Sequence, residues 1–253
     1  MIEETRAVAT PDGDMSVVVT RPDGGGPFPV VVLFHHGPGL DGGTRRAMAT
    51  FSDAGYLVAA PDRYHRHGDL IAVDTAKLRS DPDSEEAKRF GEIFMSVTDE
   101  MVADDLAAVL GDLAADPAAG DGPYGVVGYC IGTRAVLRSM ADHPDRFGAG
   151  AAFHPSFCVT PGDDSPHHVV AGLGGPLYVG IGREDRMQSA EANQPLIDAV
   201  NARGDGSAAE VLDGANHGFA VPGGLAHHEA AAARAYAATL ALFDGSVRGA
   251  ALS

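Results

Sequence analysis

The sequence predicts an α/β fold: one mostly parallel sheet flanked by helices on both faces, formed by residues 1–253 as a single domain. Three observations predict it. Short β-branched runs alternate with longer segments rich in Ala and Leu, which is how strands alternating with crossover helices read in sequence. Several runs, such as "PVVVLF" and "YGVVGY", are apolar on both faces, as strands sandwiched between helix layers must be. The chain of 253 residues, 45% apolar and 21% charged, suffices for one large core, and no repeat or low-complexity linker divides it.

Taken in order, strands are expected near 15–21, 29–34, 56–60, 124–129, 148–153, 176–181 and 208–212. The turn-forming "TPDGDM" ahead of the first of these makes a hairpin with the opening segment, so the sheet should begin antiparallel. Helices are expected at 43–54, 84–94, 97–115, 131–142, 189–202 and 226–244. In the third of these, Met101, Val102, Leu106, Val109, Leu110 and Leu113 follow the spacing of one buried helical stripe. Residues 155–175 form the one long irregular stretch, and such loops often border sites; residues 246–253 are expected to trail as a loose tail.

A net charge of −17 argues against nucleic acid or an anionic membrane as partner, because binding to polyanions needs clustered Lys and Arg. The N-terminal "MIEETRAVATPDGD" is acidic where a secretory signal would be basic and then apolar. No run of about 18 uninterrupted apolar residues appears. A cytoplasmic protein, monomeric or weakly dimeric, with a small-molecule substrate is therefore expected. In that compartment the two cysteines, Cys130 and Cys158, should be free thiols. Their spacing suggests no zinc site, and no cofactor is implied. The adjacent His35 and His36 would point to opposite faces of a strand, which argues against a shared metal.

Cys130 sits in "GYCIG", where an apolar run gives way to a helical pattern. When a buried strand turns sharply into a helix, the residue at the tip is strained, and side chains two positions either side would strike backbone; Gly128 and Gly132 answer that need. The tip side chain then stands at a helix N-terminus, where unpaired N–H groups favour the thiolate. A buried inert cysteine is the competing reading. With 33 glycines in 253 residues, two such flanking glycines arise by chance roughly 2% of the time for a given cysteine, so the strand-then-helix context has to decide.

A thiol nucleophile needs a base, and the base needs an orienting carboxylate; in sheets that carry such an elbow, the chain order is nucleophile, acid, histidine. Asp185 in "GREDRM" follows one strand and His217 in "GANHGF" follows the next, in that order. Glu184 beside Asp185 is the alternative acid, although the shorter Asp suits a close bond to imidazole. An oxyanion hole is expected from the backbone N–H of Ile131 and from Gly37 in the glycine-rich "HHGPGLDGG". Cys158, with no glycine frame and no nearby base in sequence, reads as a loop or core thiol.

With these residues in place, the chain resembles the dienelactone hydrolases, small α/β-hydrolases that use Cys in place of Ser. The resemblance spans about residues 10–245 and rests on "GYCIG", "AGYLVAAPDRYHR", "GREDRM" and "GANHGF" together. It implies Cys130, Asp185 and His217 as the catalytic triad and Ile131 with Gly37 as oxyanion donors. It also implies a substrate mouth formed by His36, Tyr64 and Arg66, made more polar by His65 and His67. Two positions depart from the dienelactone-cleaving members. His36 stands where they carry a Glu that governs the thiol's protonation, and Val221 replaces the second of two arginines that clamp the substrate carboxylate, Arg66 matching the first. Losing one arm of such a clamp costs on the order of a hundredfold in binding, so dienelactone itself does not carry over as substrate.

The expected activity is cleavage of a small ester or lactone through a thioester on Cys130. The same elbow could serve a thioesterase, a lactone-forming enzyme or an isomerase. A non-catalytic binding or redox-responsive protein that kept the pocket is the alternative from a different class.

Overall fold

The computed structural model describes residues 1–249. Eight strands form one sheet: β1 (Ile2–Thr10), β2 (Gly13–Arg21), β3 (Val30–Phe34), β4 (Leu57–Pro61), β5 (Tyr124–Tyr129), β6 (Phe147–Phe153), β7 (Leu177–Gly182) and β8 (Ala208–Leu212). Their spatial order is β1-β2-β4-β3-β5-β6-β7-β8. The hairpin of β1 and β2 is antiparallel, β2 pairs antiparallel with β4, and every later pairing is parallel. Gly13, with φ of 113°, closes the hairpin in a conformation open to glycine. Strands β3, β4, β5 and β7 are buried along their whole length, which is why they read as uninterrupted apolar runs.

Among the described residues seven α-helices accompany this sheet: α1 (Gly42–Asp53), α2 (Thr75–Ser80), α3 (Glu85–Ser96), α4 (Asp99–Ala115), α5 (Gly132–Asp142), α6 (Gln194–Asn201) and α7 (Glu229–Phe243). They build two apolar cores. Val102, Leu106 and Leu113 of α4, Val136 of α5 and Leu196 of α6 pack on one face. Ala47, Met48 and Phe51 of α1 with Ala232, Ala235 and Phe243 of α7 pack on the other. No helix among the described residues is long and apolar enough to cross a membrane.

The expected strands and α-helices appear with shifted ends and one added α-helix, and the stretch expected to be irregular at 155–175 contains a 3-10 helix, Pro166–Gly172. The helix expected from 189 starts at Gln194, because Asn193 and its neighbours are held in a turn by the bonds from Asn193 Nδ2 to the carbonyls of Gln188 and Ser189. Helix α7 begins at Glu229, where His228 Nδ1 accepts from Ala231 N–H as a cap. The short α2 was not expected; Asp74 caps it by accepting from Ala76 and Lys77 N–H. The loose tail expected from 246 is instead wound as far as Arg248 in a π-helical turn, with Val247 buried in the second core and Arg248 bonded to the Ala54 carbonyl. Residues 250–253 of that expected tail lie outside the described residues.

This topology sets where a ligand can sit. From β3 the chain goes to β4 on one side and later to β5 on the other, so a crevice opens at the carboxyl ends of β3 and β5. His35, His36 and Gly37 follow β3 directly, and Cys130 follows β5.

Candidate active site

Cys130 caps the turn from β5 into α5 with φ of 55°, a backbone conformation that side-chain-bearing residues rarely adopt. The crowding that calls for glycine is explicit. A Cβ on Gly132 would lie 2.4 Å from the Phe34 carbonyl oxygen, and one on Gly128 would lie 2.4 Å from the Gly132 carbonyl oxygen. The corner is tied down by Cys130 N–H donating to Phe153 O at 3.0 Å and by Thr133 Oγ1 donating to Cys130 O at 2.6 Å.

The loop after β8 brings His217 to this corner. Its Nε2 lies 3.2 Å from Cys130 Sγ and its Nδ1 lies 2.7 Å from Asp185 Oδ2. Asp185 is buried just past β7, and its other oxygen accepts from Met187 and Gln188 N–H at 2.9 Å each, which fixes the carboxylate. Glu184, the alternative acid, is exposed. The three residues picked from chain order therefore meet.

Their charges favour an ion pair. Burial alone would raise the Cys130 thiol pKa, but the His217 hydrogen bond and charge, the Ser156 hydroxyl and the Ile131 N–H outweigh it and hold the thiol below its ordinary value. Burial pushes His217 down, while its bonds to Asp185 and Cys130 push it up by more, so the imidazolium is favoured. Cys158 contrasts with both: fully buried beside Thr133 Oγ1, it is pushed up to about 12 by burial. It is the core thiol expected.

Of the two oxyanion donors expected, Ile131 follows Cys130 directly at the start of α5 and Gly37 lines the same cavity as Cys130. Three bonds hold the turn before Gly37. His35 Nε2 accepts from Arg63 N–H at 3.2 Å, which leaves the proton on Nδ1 to donate to His36 O at 2.7 Å. Burial drives His35 down to about 3, so it stays neutral in this role. Tyr64 OH donates to Gly37 O at 2.7 Å.

The expected substrate contacts divide. His36 lines the cavity, with Nε2 3.1 Å from Asp41 Oδ1. Tyr64 does not; it is fully buried beneath Gly37 and positions that residue. Arg66 does not either. Its guanidinium grips both oxygens of Asp105, at 2.8 and 2.9 Å, and Asp12 at 2.7 Å, so the sequence expectation of a free carboxylate-binding arm is corrected. His65 is drawn into the same cluster, 3.2 Å from Asp105 Oδ1, and His67 bonds Ser96, so neither contributes to the mouth. Among the described residues no three His, Cys, Asp or Glu side chains converge as metal ligands would.

Sequence reasoning missed two neighbours. Ser156, buried beyond β6, places Oγ 3.2 Å from Cys130 Sγ and 3.5 Å from His217 Nε2. His154 is fully buried with its ring edge-on to His217, centroids 4.9 Å apart, and neither ring nitrogen has a partner among the described residues. Burial holds His154 well below its ordinary value, so no second positive charge forms beside His217. The signal in the sequence for both is that "HPSF" directly follows the strand expected at 148–153; the positive φ of 42° at His154 and 54° at Phe157 belongs to the fold.

Comparison with known proteins supports the family resemblance. The sequence model described as "Dienelactone hydrolase family" matches residues 15–246. The "Putative carboxymethylenebutenolidase" of Methylorubrum extorquens is 24% identical over 214 residues, covering 82% of this chain and 69% of that protein. "Dienlactone hydrolase 1" of Gibberella moniliformis is 25% identical over 191 residues, covering 76% and 68%. Among solved structures, the "Putative Dienelactone Hydrolase" of Klebsiella pneumoniae superposes with a TM-score of 0.79 at 23% identity, covering 96% of this chain and 98% of that one.

Proposed function

Since the chain belongs to the dienelactone hydrolase family and is a hydrolase acting on esters or lactones, we propose that it works through a covalent thioester on Cys130, with His217 as acid and base and Asp185 as its orienter. In this reading residues 1–253 act as one domain in a reducing, cytoplasmic setting.

The thiolate attacks the substrate carbonyl, forming an S–C bond and placing negative charge on the carbonyl oxygen. That oxygen accepts from the N–H groups of Ile131 and Gly37; donors preorganised in this way are worth roughly 3–4 kcal/mol each. Collapse of the intermediate breaks the C–O bond, and the leaving alkoxide takes the proton from His217 Nε2. Water then gives a proton to His217, attacks the thioester and releases the acid, returning the thiolate and imidazolium. Asp185 holds the imidazole tautomer through both halves. Ser156 supplies a hydroxyl that can donate to sulfur and so favours the thiolate.

The observation that carries the reading is the pair of distances about one imidazole, 3.2 Å to Cys130 Sγ and 2.7 Å to Asp185 Oδ2. The experiment is intact-mass analysis during turnover of an activated ester. An acyl adduct should accumulate on Cys130, and no adduct should form on the Cys130→Ala variant. Undiminished hydrolysis by Cys130→Ala would end the proposal.

A further inference from the structure

Cys130 and His217 line a cavity of about 850 Å³, near the top of the range of roughly 300–1,000 Å³ usual for small-molecule sites. Its walls are apolar. Phe90 and Phe94, one turn apart on α3 and with ring centroids 6.1 Å apart, present a ready-made aromatic wall to this cavity. Six large apolar side chains are exposed among the described residues, and four of them, Met95 at 77%, Phe157 at 47%, Met187 at 63% and Leu225 at 70%, belong to this one lining. The other two, Met1 and Val169, stand apart from it. Apolar surface gathered in one place marks a binding site, whereas single exposed side chains need no explanation.

Charge points the same way. The residues of the lining with a fixed charge are Asp41, Asp74 and Arg46, two acids against one base, in a molecule of net charge −17. Arg46 is exposed, and its Nε already donates to the Pro222 carbonyl at 2.7 Å. Arg66 is consumed by Asp105 and Asp12. The one buried cation there, the His217 imidazolium, is held between Asp185 Oδ2 and Cys130 Sγ, so a carboxylate entering this cavity would lose its hydration and find no unpaired buried cation to replace it, which a site for anions cannot tolerate.

Resting on the reading of Cys130 as nucleophile, we infer that the substrate is an uncharged ester or lactone carrying an aromatic or medium-length alkyl group. That group lies along Phe90, Phe94 and Leu225 while its carbonyl reaches Cys130. A small lactone bearing a carboxylate is excluded as the preferred substrate.

The test is a matched series of p-nitrophenyl esters: acetate, octanoate, phenylacetate and the singly charged succinate. The wild-type kcat/KM for octanoate and phenylacetate should exceed that for acetate and for succinate by roughly tenfold or more, the scale on which an apolar pocket discriminates. In Phe94→Ala and in Leu225→Ser the octanoate-to-acetate ratio should fall severalfold, with Cys130 alkylation reporting that each variant is folded. Equal or faster turnover of succinate, lost on Arg46→Gln, would overturn the substrate class and leave the thioester reading standing. If none of the four esters is cleaved and none acylates Cys130, the thioester reading itself falls, and the substrate class with it.

Discussion

The two walls of the cavity are built differently. Cys130, Asp185 and His217 hang from the carboxyl ends of β5, β7 and β8, and β5 and β7 are buried along their whole length. The cover formed by α2 and α3 buries one residue among those described, Ile93, although it supplies Phe90 and Phe94 to the lining. A fully buried Val or Leu contributes about 1.5–3 kcal/mol, so the sheet edge is held by many such terms and the cover by few. Groups that must keep hydrogen-bond geometry are carried by the part that is costly to distort. Groups that select by apolar contact are carried by a part that opens at low cost.

Five substitutions would break or sharpen this contrast. The largest effect belongs to the reacting groups: Cys130→Ala or His217→Ala should lower kcat/KM for an activated ester by on the order of a thousandfold or more, with thermal unfolding little changed. Retained activity in either variant would remove the sheet edge from the chemistry.

Next comes Gly132→Ala at the elbow. Its Cβ would fall 2.4 Å from the Phe34 carbonyl oxygen, a backbone atom that cannot yield locally. Stability should drop by about 3 kcal/mol or more in a denaturant titration, together with activity. A neutral outcome would mean that the corner is less rigid than its crowding requires.

Ser156→Ala removes one hydrogen bond to sulfur without touching the cover. Iodoacetamide should then label Cys130 up to about tenfold more slowly at neutral pH, the worth of one such bond. The pH profile fixes the sign. In the wild type the thiol pKa is depressed, so labelling persists below the ordinary value near 8.5 and fades as the pH falls through the depressed value. In Ser156→Ala that midpoint should move upward; Cys158, pushed up to about 12, should remain unlabelled in the folded protein. An unmoved midpoint would reduce Ser156 to packing.

The smallest effect tests the cover. A Cβ on Gly91 in α3 meets nothing within 4 Å, so Gly91→Ala should stabilise this helix by up to about 1 kcal/mol, the ordinary helix-propensity gain. Hydrogen exchange should show α3 amides exchanging faster than those of β5 in the wild type and slowing in the variant. The same chemical change, glycine to alanine, should thus have opposite signs on the two walls.

Much of this is legible in the sequence, for local reasons. The buried strands declared themselves because both faces meet helices, and the elbow did so because two glycines two positions from one cysteine mark a steric need. Side-chain length favours Asp185 over Glu184 in the sequence, and the turn after β7 buries Asp185 and leaves Glu184 exposed. Arg66 shows the limit most plainly. Its segment reads as a free substrate arm, yet Asp12 and Asp105, 54 and 39 residues away, capture it.

By itself, the sequence determined the alternation of elements, the tight corner at Cys130 and the chain order of thiol, carboxylate and imidazole, because each is written in backbone sterics or periodicity within a few residues. Tertiary structure alone decided that Ser156 touches the sulfur, that Tyr64 supports Gly37 from below and that α3 turns two phenylalanines toward the thiol's cavity. Those contacts join segments whose separation in the chain carries no record of their distance in space, and only the pairing of β5 with β6, the pairing of β3 with β4 and the placement of the cover bring them together.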